Sequence, residues 1–335
     1  MTFCNQRRRH LITGIAAAAA FGLMLPAYGA GDSTPVTGNS VHNQPLTKLN
    51  IAIVPVLDGA PYLYAKARGY YKDAGLDVTI SANDSGPTII TGVINGTYDA
   101  GATAWFPAAI AISKGAKLKY VMTPAYMKKG AGHGDSGVVV KPDSSITSYK
   151  DLEGKTVATN ALTSLVTLVT KVVVKEAGGD PEKVKFVALP FKTGVQAVAQ
   201  GQVDAAVAVS PFQMEAQKAG LKIFGDPIVD GQPQGSPAMP LFTSAANAAK
   251  KAKAFTAFTK ATHRAAQELE ENEKLRRKVA HDDIGLPTDI AQKVPFTHYT
   301  TQPINLKALQ EDFDLAYEYG YLGHPIKSKD AVVAQ

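Results

Sequence analysis

Two stretches about a hundred residues apart share one plan, and this repetition constrains the fold more than any other feature of the sequence. They are GVINGTYDAGATAWF (residues 92–106) and GVQAVAQGQVDAAVAVSPF (residues 194–212). In each, a helical run ends at a glycine, and an Asp-Ala pair (residues 99–100 and 204–205) then opens a run of small apolar residues. Such a run is typical of a strand buried on both faces of a parallel sheet. One copy alone is an ordinary βαβ connection, whereas two copies predict two similar α/β lobes that face a cleft.

Polar and aromatic residues follow both of these strands. They are Thr103 and Trp105 in the first copy and Ser210 and Phe212 in the second. In open α/β sheets, ligands bind at the carboxyl ends of the strands. We expect Ser210 to cap a helix that begins at Pro211, so that free backbone N–H groups point out of the strand end. A helix start of this kind can hold an anion or a polar ligand.

Further candidate site residues follow the other predicted strands. These strands are predicted at residues 49–54 and 76–80, with a turn and strand over residues 151–159. The candidates after them are Asp58, Tyr62, Ser85, Gly86, Asn160, Thr163 and Ser164. Two of these assignments have an alternative. Trp105 could pack in the core instead of lining the cleft, and Thr163 or Ser164 could serve only to cap the next helix.

The first 29 residues have the pattern of a secretory signal peptide. Three arginines (residues 7–9) precede an Ala-rich apolar stretch (residues 11–25), and small residues follow it. This pattern predicts cleavage near residue 29. The Arg-Arg pair leaves two export routes open, the general secretory route and the twin-arginine route. Residues 30–45 are rich in Gly, Ser, Thr, Asn and Pro and are predicted to form a flexible leader.

Composition argues against several classes of protein. Removing residues 1–29 takes three of the 35 basic residues and none of the 29 acidic ones, which leaves a formal charge of +3 and no indication of nucleic-acid binding. Cys4, the one cysteine, lies within the signal peptide, so no disulfide, thiolate metal site or lipid anchor is expected. No later stretch has the roughly 20 apolar residues of a membrane helix. The histidine spacings match no common metal motif, so we expect neither metal nor cofactor.

Five motifs together resemble those of the alkanesulfonate, taurine and thiamine-precursor family of periplasmic solute-binding proteins. They are APYLYAKARGYYKDAGLDV (residues 60–78), GTYDAG (96–101), ITSYKDLEGKTVAT (146–159), AGGDP (177–181) and GQVDA (201–205). The resemblance implies the type II binding-protein fold, an α/β fold of two lobes, each a mostly parallel sheet flanked by helices, with the ligand cleft between them. It also implies a monomeric periplasmic protein without catalytic activity, which captures a small solute by cleft closure and delivers it to an ABC permease and its cytoplasmic ATPase.

The lobes are expected at residues 46–130 and 131–235. Residues 236–335 are expected to return to the first lobe and to pack on it through C-terminal helices. Residues 126–135 and 225–239, which are rich in Gly or Pro, are the predicted hinge.

The solute is predicted to be aromatic or heterocyclic, or else similar to an organosulfonate. Arginine suits paired anionic oxygens, but none of the four arginines after residue 29 follows a predicted strand, which favours the first class. A periplasmic sensor of the same fold is an alternative function. A thiamine-pyrimidine synthase-like enzyme is a weaker alternative, because the resemblance there would require a cysteine cluster that the chain lacks.

Overall fold

The computed structural model describes residues 45–128, 136–296 and 298–334. The predicted signal peptide and residues 30–44 of the predicted leader lie outside the described residues. So does most of the first predicted hinge, residues 129–135. In the part of the chain that the structure describes, no helix is long and apolar enough to cross a membrane.

The elements alternate along the chain between strands and helices. The first part contains β1 Thr47–Ile53, α1 Ala60–Ala67, α2 Tyr70–Asp73, β2 Leu76–Ala82, α3 Gly86–Ile94, β3 Ala100–Ala102, α4 Trp105–Ser113, β4 Leu118–Met122 and β5 Ala125–Tyr126. The second contains β6 Ser136–Val140, β7 Thr156–Thr159, α5 Leu165–Glu176, β8 Lys185–Ala188, α6 Phe191–Gln200, β9 Ala205–Val209, α7 Phe212–Lys218, β10 Lys222–Phe224 and α8 Pro227–Asp230. The last contains β11 Pro237–Ala238, β12 Leu241–Ser244, α9 Ala245–Lys250, α10 Ala252–Glu271, α11 Glu273–Asp282, α12 Thr288–Ala291, β13 His298–Tyr299, α13 Leu306–Glu318 and α14 Ser328–Ala331.

Two five-stranded sheets have the same strand pattern. Their orders are β2-β1-β3-β12-β4 and β10-β6-β9-β7-β8. In each sheet three strands pair in parallel, and one reversed strand, β12 or β6, separates them from a fifth strand. Each reversed strand follows a connection that enters its sheet from the other one. The repeated sequence plan therefore corresponds to a repeated α/β unit, and the predicted fold class is confirmed.

The aspartates of the two Asp-Ala pairs have one and the same structural role. Asp99 Oδ2 accepts a hydrogen bond from the backbone N–H of Asn50 at 2.9 Å, and its own N–H donates to the Asn50 carbonyl. Asp204 Oδ2 accepts from the N–H of Thr156 at 2.8 Å, and its N–H donates to the Thr156 carbonyl. Each carboxylate thus adds a hydrogen bond at the amino end of a parallel strand pair, the end opposite to the candidate ligand residues. A short acceptor side chain at this position explains why both copies carry Asp.

The C-terminal helices pack on the first sheet through aromatic residues. Phe258 of α10 stacks on Tyr71, with ring centroids 4.6 Å apart, and Phe313 of α13 lies 6.0 Å from Trp105. Residues 245–275 form α9, α10 and the start of α11. The break falls at Asn272, whose side chain accepts a hydrogen bond from the N–H of Leu275 and so caps α11.

The two connections between the sheets are tied to each other. β5 pairs with β11 and with β13 in a small antiparallel sheet. At the end near the second sheet, Asp226 is fully buried and its Oδ1 accepts hydrogen bonds from the backbone N–H and the hydroxyl of Ser136. The connections therefore meet at both ends, and the hinge function of residues 126–135 and 225–239 stays a prediction.

Removing the Asp204 carboxylate tests its role in the sheet. We expect Asp204→Ala to lower the free energy of unfolding by about 0.5–1.5 kcal/mol, the net contribution of one hydrogen bond. Asp77→Ala is the matched control, because Asp77 lies exposed on β2, and its effect is expected to stay within about 0.5 kcal/mol. Denaturant unfolding of both variants measures the difference. Equal effects of the two substitutions would contradict this role of Asp204.

Candidate ligand-binding cavity

A cavity lies where the carboxyl ends of the parallel strands of both sheets meet. The space open to the centre of a water molecule is about 90 Å³, several times what one water requires. From the first sheet it is lined by Val54, Val56, Leu57, Asp58, Gly86, Pro87, Thr103, Ala104 and Pro107. From the second it is lined by Asn160, Ser164, Leu165, Val166, Phe191, Val209 and Ser210. The connections between the sheets add Met127, Ile228, Gln232, Pro237, Ala238 and Met239.

Six of the eleven predicted site residues line this cavity: Asp58, Gly86, Thr103, Asn160, Ser164 and Ser210. They come from both sheets, as the prediction of a cleft between two lobes requires. The walls are otherwise mostly aliphatic. Among the described lining residues, Asp58 carries the one charged side chain, and no lysine or arginine is present. A role of the six residues in ligand binding stays a prediction.

Asn160 provides a hydrogen-bond acceptor in this cavity. Its Oδ1 is buried and has no hydrogen-bond partner among the described residues. A buried acceptor left unpaired costs about 1–3 kcal/mol, so a ligand that donates to it recovers that free energy.

Ser164 combines two functions that the sequence left as alternatives. Its hydroxyl oxygen accepts from the N–H of Thr167 and caps α5, and the residue also lines the cavity. Gly86 lies where a side chain does not fit, because a Cβ there would lie 2.7 Å from Thr103 Oγ1. The glycine therefore allows the start of α3 to approach Thr103 closely.

Ser210 does not cap the following helix, so this expectation was wrong. α7 begins at Phe212, and Pro211 occupies the N-cap position after a cis Ser210–Pro211 peptide bond. The Ser210 hydroxyl instead accepts a hydrogen bond from Gln213 Nε2 at 2.7 Å.

The three predicted aromatic residues lie behind the wall instead of forming it. Tyr62 is fully buried and donates its hydroxyl to the carbonyl of Met239 at 2.9 Å. Phe212 stacks on Phe191, with centroids 5.6 Å apart. Trp105 is 0% exposed, which is the core position that the sequence left as its alternative. Each aromatic thus supports a residue of the wall or of the core.

Two polar candidates also lie away from the cavity wall. Thr163 is exposed in the turn before α5. Ser85 precedes α3, and its backbone N–H donates to Asn83 Oδ1 at 2.9 Å. Both residues occur in connections whose backbone path is not set by strand periodicity. Their ligand-binding roles stay predictions without support from the cavity geometry.

Gln232 is a cavity residue that the sequence did not indicate, since its segment was interpreted only as a connection. It is buried, and its Oε1 accepts a hydrogen bond from Trp105 Nε1 at 3.0 Å. Its Nε2 donates to the carbonyl of Ile228 at 3.0 Å. An indole N–H only donates and a carbonyl only accepts, so these two partners fix which way the amide points. One N–H of Nε2 remains for another acceptor.

Residues 57–274, more than half of the chain, match the model of a family described as NMT1/THI5 like. The chain belongs to this family. No curated protein matches the sequence significantly.

Solved structures similar to this NMT1/THI5-like protein include two binding proteins and one enzyme. The alkanesulfonate-binding protein SsuA from Xanthomonas axonopodis pv. citri, bound to MOPS, has a TM-score of 0.73 and 20% identity, and covers 87% of this chain and 99% of that chain. The periplasmic nitrate-binding protein NrtA from Synechocystis PCC 6803 has a TM-score of 0.67 and 15% identity, with 85% and 84% covered. The desulfurization enzyme DSZB has a TM-score of 0.64 and 14% identity, with 86% and 97% covered. At these identities the likeness shows the fold alone.

The hydrogen bond between Trp105 and Gln232 is testable by a double-mutant cycle. Trp105→Phe removes the indole donor and leaves a buried amide oxygen unpaired, which we expect to cost about 1–3 kcal/mol of unfolding free energy. Combined with Gln232→Met, the two changes should show a coupling of about 0.5–3 kcal/mol in denaturant unfolding.

The control cycle combines Gln232→Met with Tyr71→Phe, which removes a different buried hydroxyl, one that bonds the Tyr62 carbonyl and the Thr262 hydroxyl. Tyr71 and Gln232 share no hydrogen-bond partner, so their effects should add within about 0.5 kcal/mol. If the Trp105 cycle is additive to the same degree, the two side chains do not interact as described.

Proposed function

We propose that this protein is the extracytoplasmic substrate-binding component of an ABC import system. The protein is exported to the periplasm by its signal peptide and acts there as a monomer without a cofactor. It captures a small organic solute between its two lobes and delivers the solute to a membrane permease with a cytoplasmic ATPase. The observation that carries this proposal is the cavity, which is formed by the carboxyl ends of parallel strands from both sheets.

In this proposal the first lobe, residues 46–130, is built around the first sheet, and the second lobe, residues 131–235, is built around the second. Residues 236–335 return to the first lobe, where β12 enters the first sheet and α10 and α13 pack on it. Closure moves one sheet toward the other about residues 126–135 and 225–239.

The proposed solute is aromatic or heterocyclic and uncharged at its bound face. The described walls are mostly aliphatic, which favours a solute with a large apolar surface. No described lining residue carries the guanidinium or ammonium group that suits paired anionic oxygens. Asn160 Oδ1 can accept from a donor on the solute, and Gln232 Nε2 can donate to an acceptor. A sulfonate or nitrate ion therefore fits these described walls less well than a neutral planar solute.

The residues that line the cavity support the proposal that this protein binds its solute without catalysing a reaction. Asp58 is the one titratable side chain among the described lining residues, so they provide no acid-base pair for catalysis. The similarity to DSZB shows that a related fold also occurs in an enzyme, and a fold alone does not decide function.

A thermal-shift panel tests the substrate class. Its first arm contains neutral heterocycles and aromatic amides, and its second contains taurine, MOPS and nitrate. We expect stabilisation by members of the first arm, with about 2.7 kcal/mol at a concentration 100 times the Kd. Stabilisation by the second arm alone would contradict the proposed solute, and no stabilisation by either arm would contradict the proposed binding function.

Two variants connect a positive result to the cavity. Asn160→Leu removes the unpaired acceptor with little change in volume and should weaken binding of the stabilising compound about three- to tenfold. Thr163→Ala, in the exposed turn outside the cavity, is the matched control and should leave the Kd unchanged.

A further inference from the structure

A buried carboxyl group lies beside the second connection between the sheets. Asp312 of α13 and Ser236 are both 0% exposed, and Asp312 Oδ1 is 2.9 Å from Ser236 Oγ. Ser236 Oγ is also 2.9 Å from the carbonyl oxygen of Pro233. The charge state of this fully buried carboxyl group must be explained, because burial strongly disfavours an unpaired anion.

The number of hydrogens decides the charge. The Ser236 hydroxyl has one hydrogen, yet two oxygen atoms lie at hydrogen-bond distance from it. The carbonyl of Pro233 only accepts, so the hydroxyl hydrogen can satisfy it. The contact with Asp312 is then a hydrogen bond only if the carboxyl group is protonated and donates to Ser236 Oγ. If Asp312 were ionised, its Oδ1 and Ser236 Oγ would be buried 2.9 Å apart with no hydrogen atom between them.

The surroundings agree with a neutral acid. Burial raises the pKa of Asp312 well above its ordinary value, and the charge of Glu311 on the same helix raises it further. A hydrogen bond donated by Ser236 to an ionised Asp312 would lower this pKa, but it does not offset the effect of burial.

No described cation lowers the pKa of Asp312. Tyr120 of β4 is itself a buried, neutral phenol near it. α4 and residues 231–239 contain no titratable side chain, and the charged residues of α14 are Lys329 and Asp330.

Ser236 is well placed to orient the cavity wall. It directly precedes Pro237, Ala238 and Met239, which line the cavity. Its carbonyl accepts from the N–H of Met127 at 2.8 Å, and Met127, another lining residue, accepts from the N–H of Gly235 at 2.8 Å. Through Ser236, both connections between the sheets are thus linked to Asp312.

We propose that Asp312 is a positioning residue of the cavity: as a neutral carboxylic acid it donates to Ser236 and so holds the wall formed by residues 236–239. The effect of this wall on solute capture rests on the proposed function. The protonation of Asp312 does not depend on that function. The test therefore needs no ligand, and a failure of the proposed function would leave its outcome unaffected.

The experiment compares the full chain with Asp312→Asn and Asp312→Leu. Asparagine can donate an N–H to Ser236 Oγ as the protonated acid does, and leucine cannot. Because the native state keeps a proton that the unfolded state loses, the stability from Asp312 is complete below about pH 4, the ordinary Asp pKa, and declines as pH rises toward the native pKa. Between these two pKa values, the ratio of the wild-type unfolding constant to that of Asp312→Asn should rise tenfold per pH unit.

Hydrogen exchange at the amides of Met127 and Gly235 provides the second measurement. Exchange in Asp312→Asn should be no faster than in the wild type at neutral pH, and exchange in Asp312→Leu should be faster than in both. If Asp312→Leu does not fold, Ser236→Ala replaces it, because it removes both hydrogen bonds of the hydroxyl. A pH-independent ratio of unfolding constants would overturn the bound proton, and exchange in Asp312→Asn as fast as in the disrupted variant would overturn the positioning role.

Discussion

Parallel pairing of β1, β2 and β3 in one sheet, and of β7, β8 and β9 in the other, places six carboxyl ends around one cavity. The residues that follow these ends then approach each other although they are up to about 150 positions apart in the chain. The two Asp-Ala pairs act at the opposite ends of the same strands, where each carboxylate bonds a backbone N–H. One repeated sequence plan thus builds the sheet at one end and provides cavity-lining residues at the other.

Much of this arrangement could be predicted because strand period and glycine placement are local properties. The observed strands lie close to their predicted positions, and Asp58, Gly86, Thr103, Asn160, Ser164 and Ser210 all line the cavity. Thr103, Asn160 and Ser210 directly follow strands, so their backbone position nearly fixes the direction of the side chain.

The direction of aromatic side chains was not predictable in the same way. Trp105 was expected on the cleft wall but lies in the core. There its ring packs near Phe313 of α13, and its indole N–H donates a hydrogen bond to Gln232 of the second connection between the sheets. Contacts over such separations leave no local pattern. Gln232 was missed for the same reason, since its function depends on a donor 127 positions earlier in the chain.

Buried polar contacts hold the cavity wall from behind. Tyr62 bonds the carbonyl of Met239, Trp105 bonds Gln232, and Asp312 bonds Ser236. Each pair joins a core residue to a connection between the sheets, and each is costly to leave unpaired. These three contacts hold the wall residues in place relative to the core.

Small-angle X-ray scattering with and without the compound that stabilises the protein measures cleft closure. We expect the radius of gyration to fall on binding, because the two sheets approach each other around the solute. A radius of gyration that stays unchanged while the cavity is saturated would contradict it.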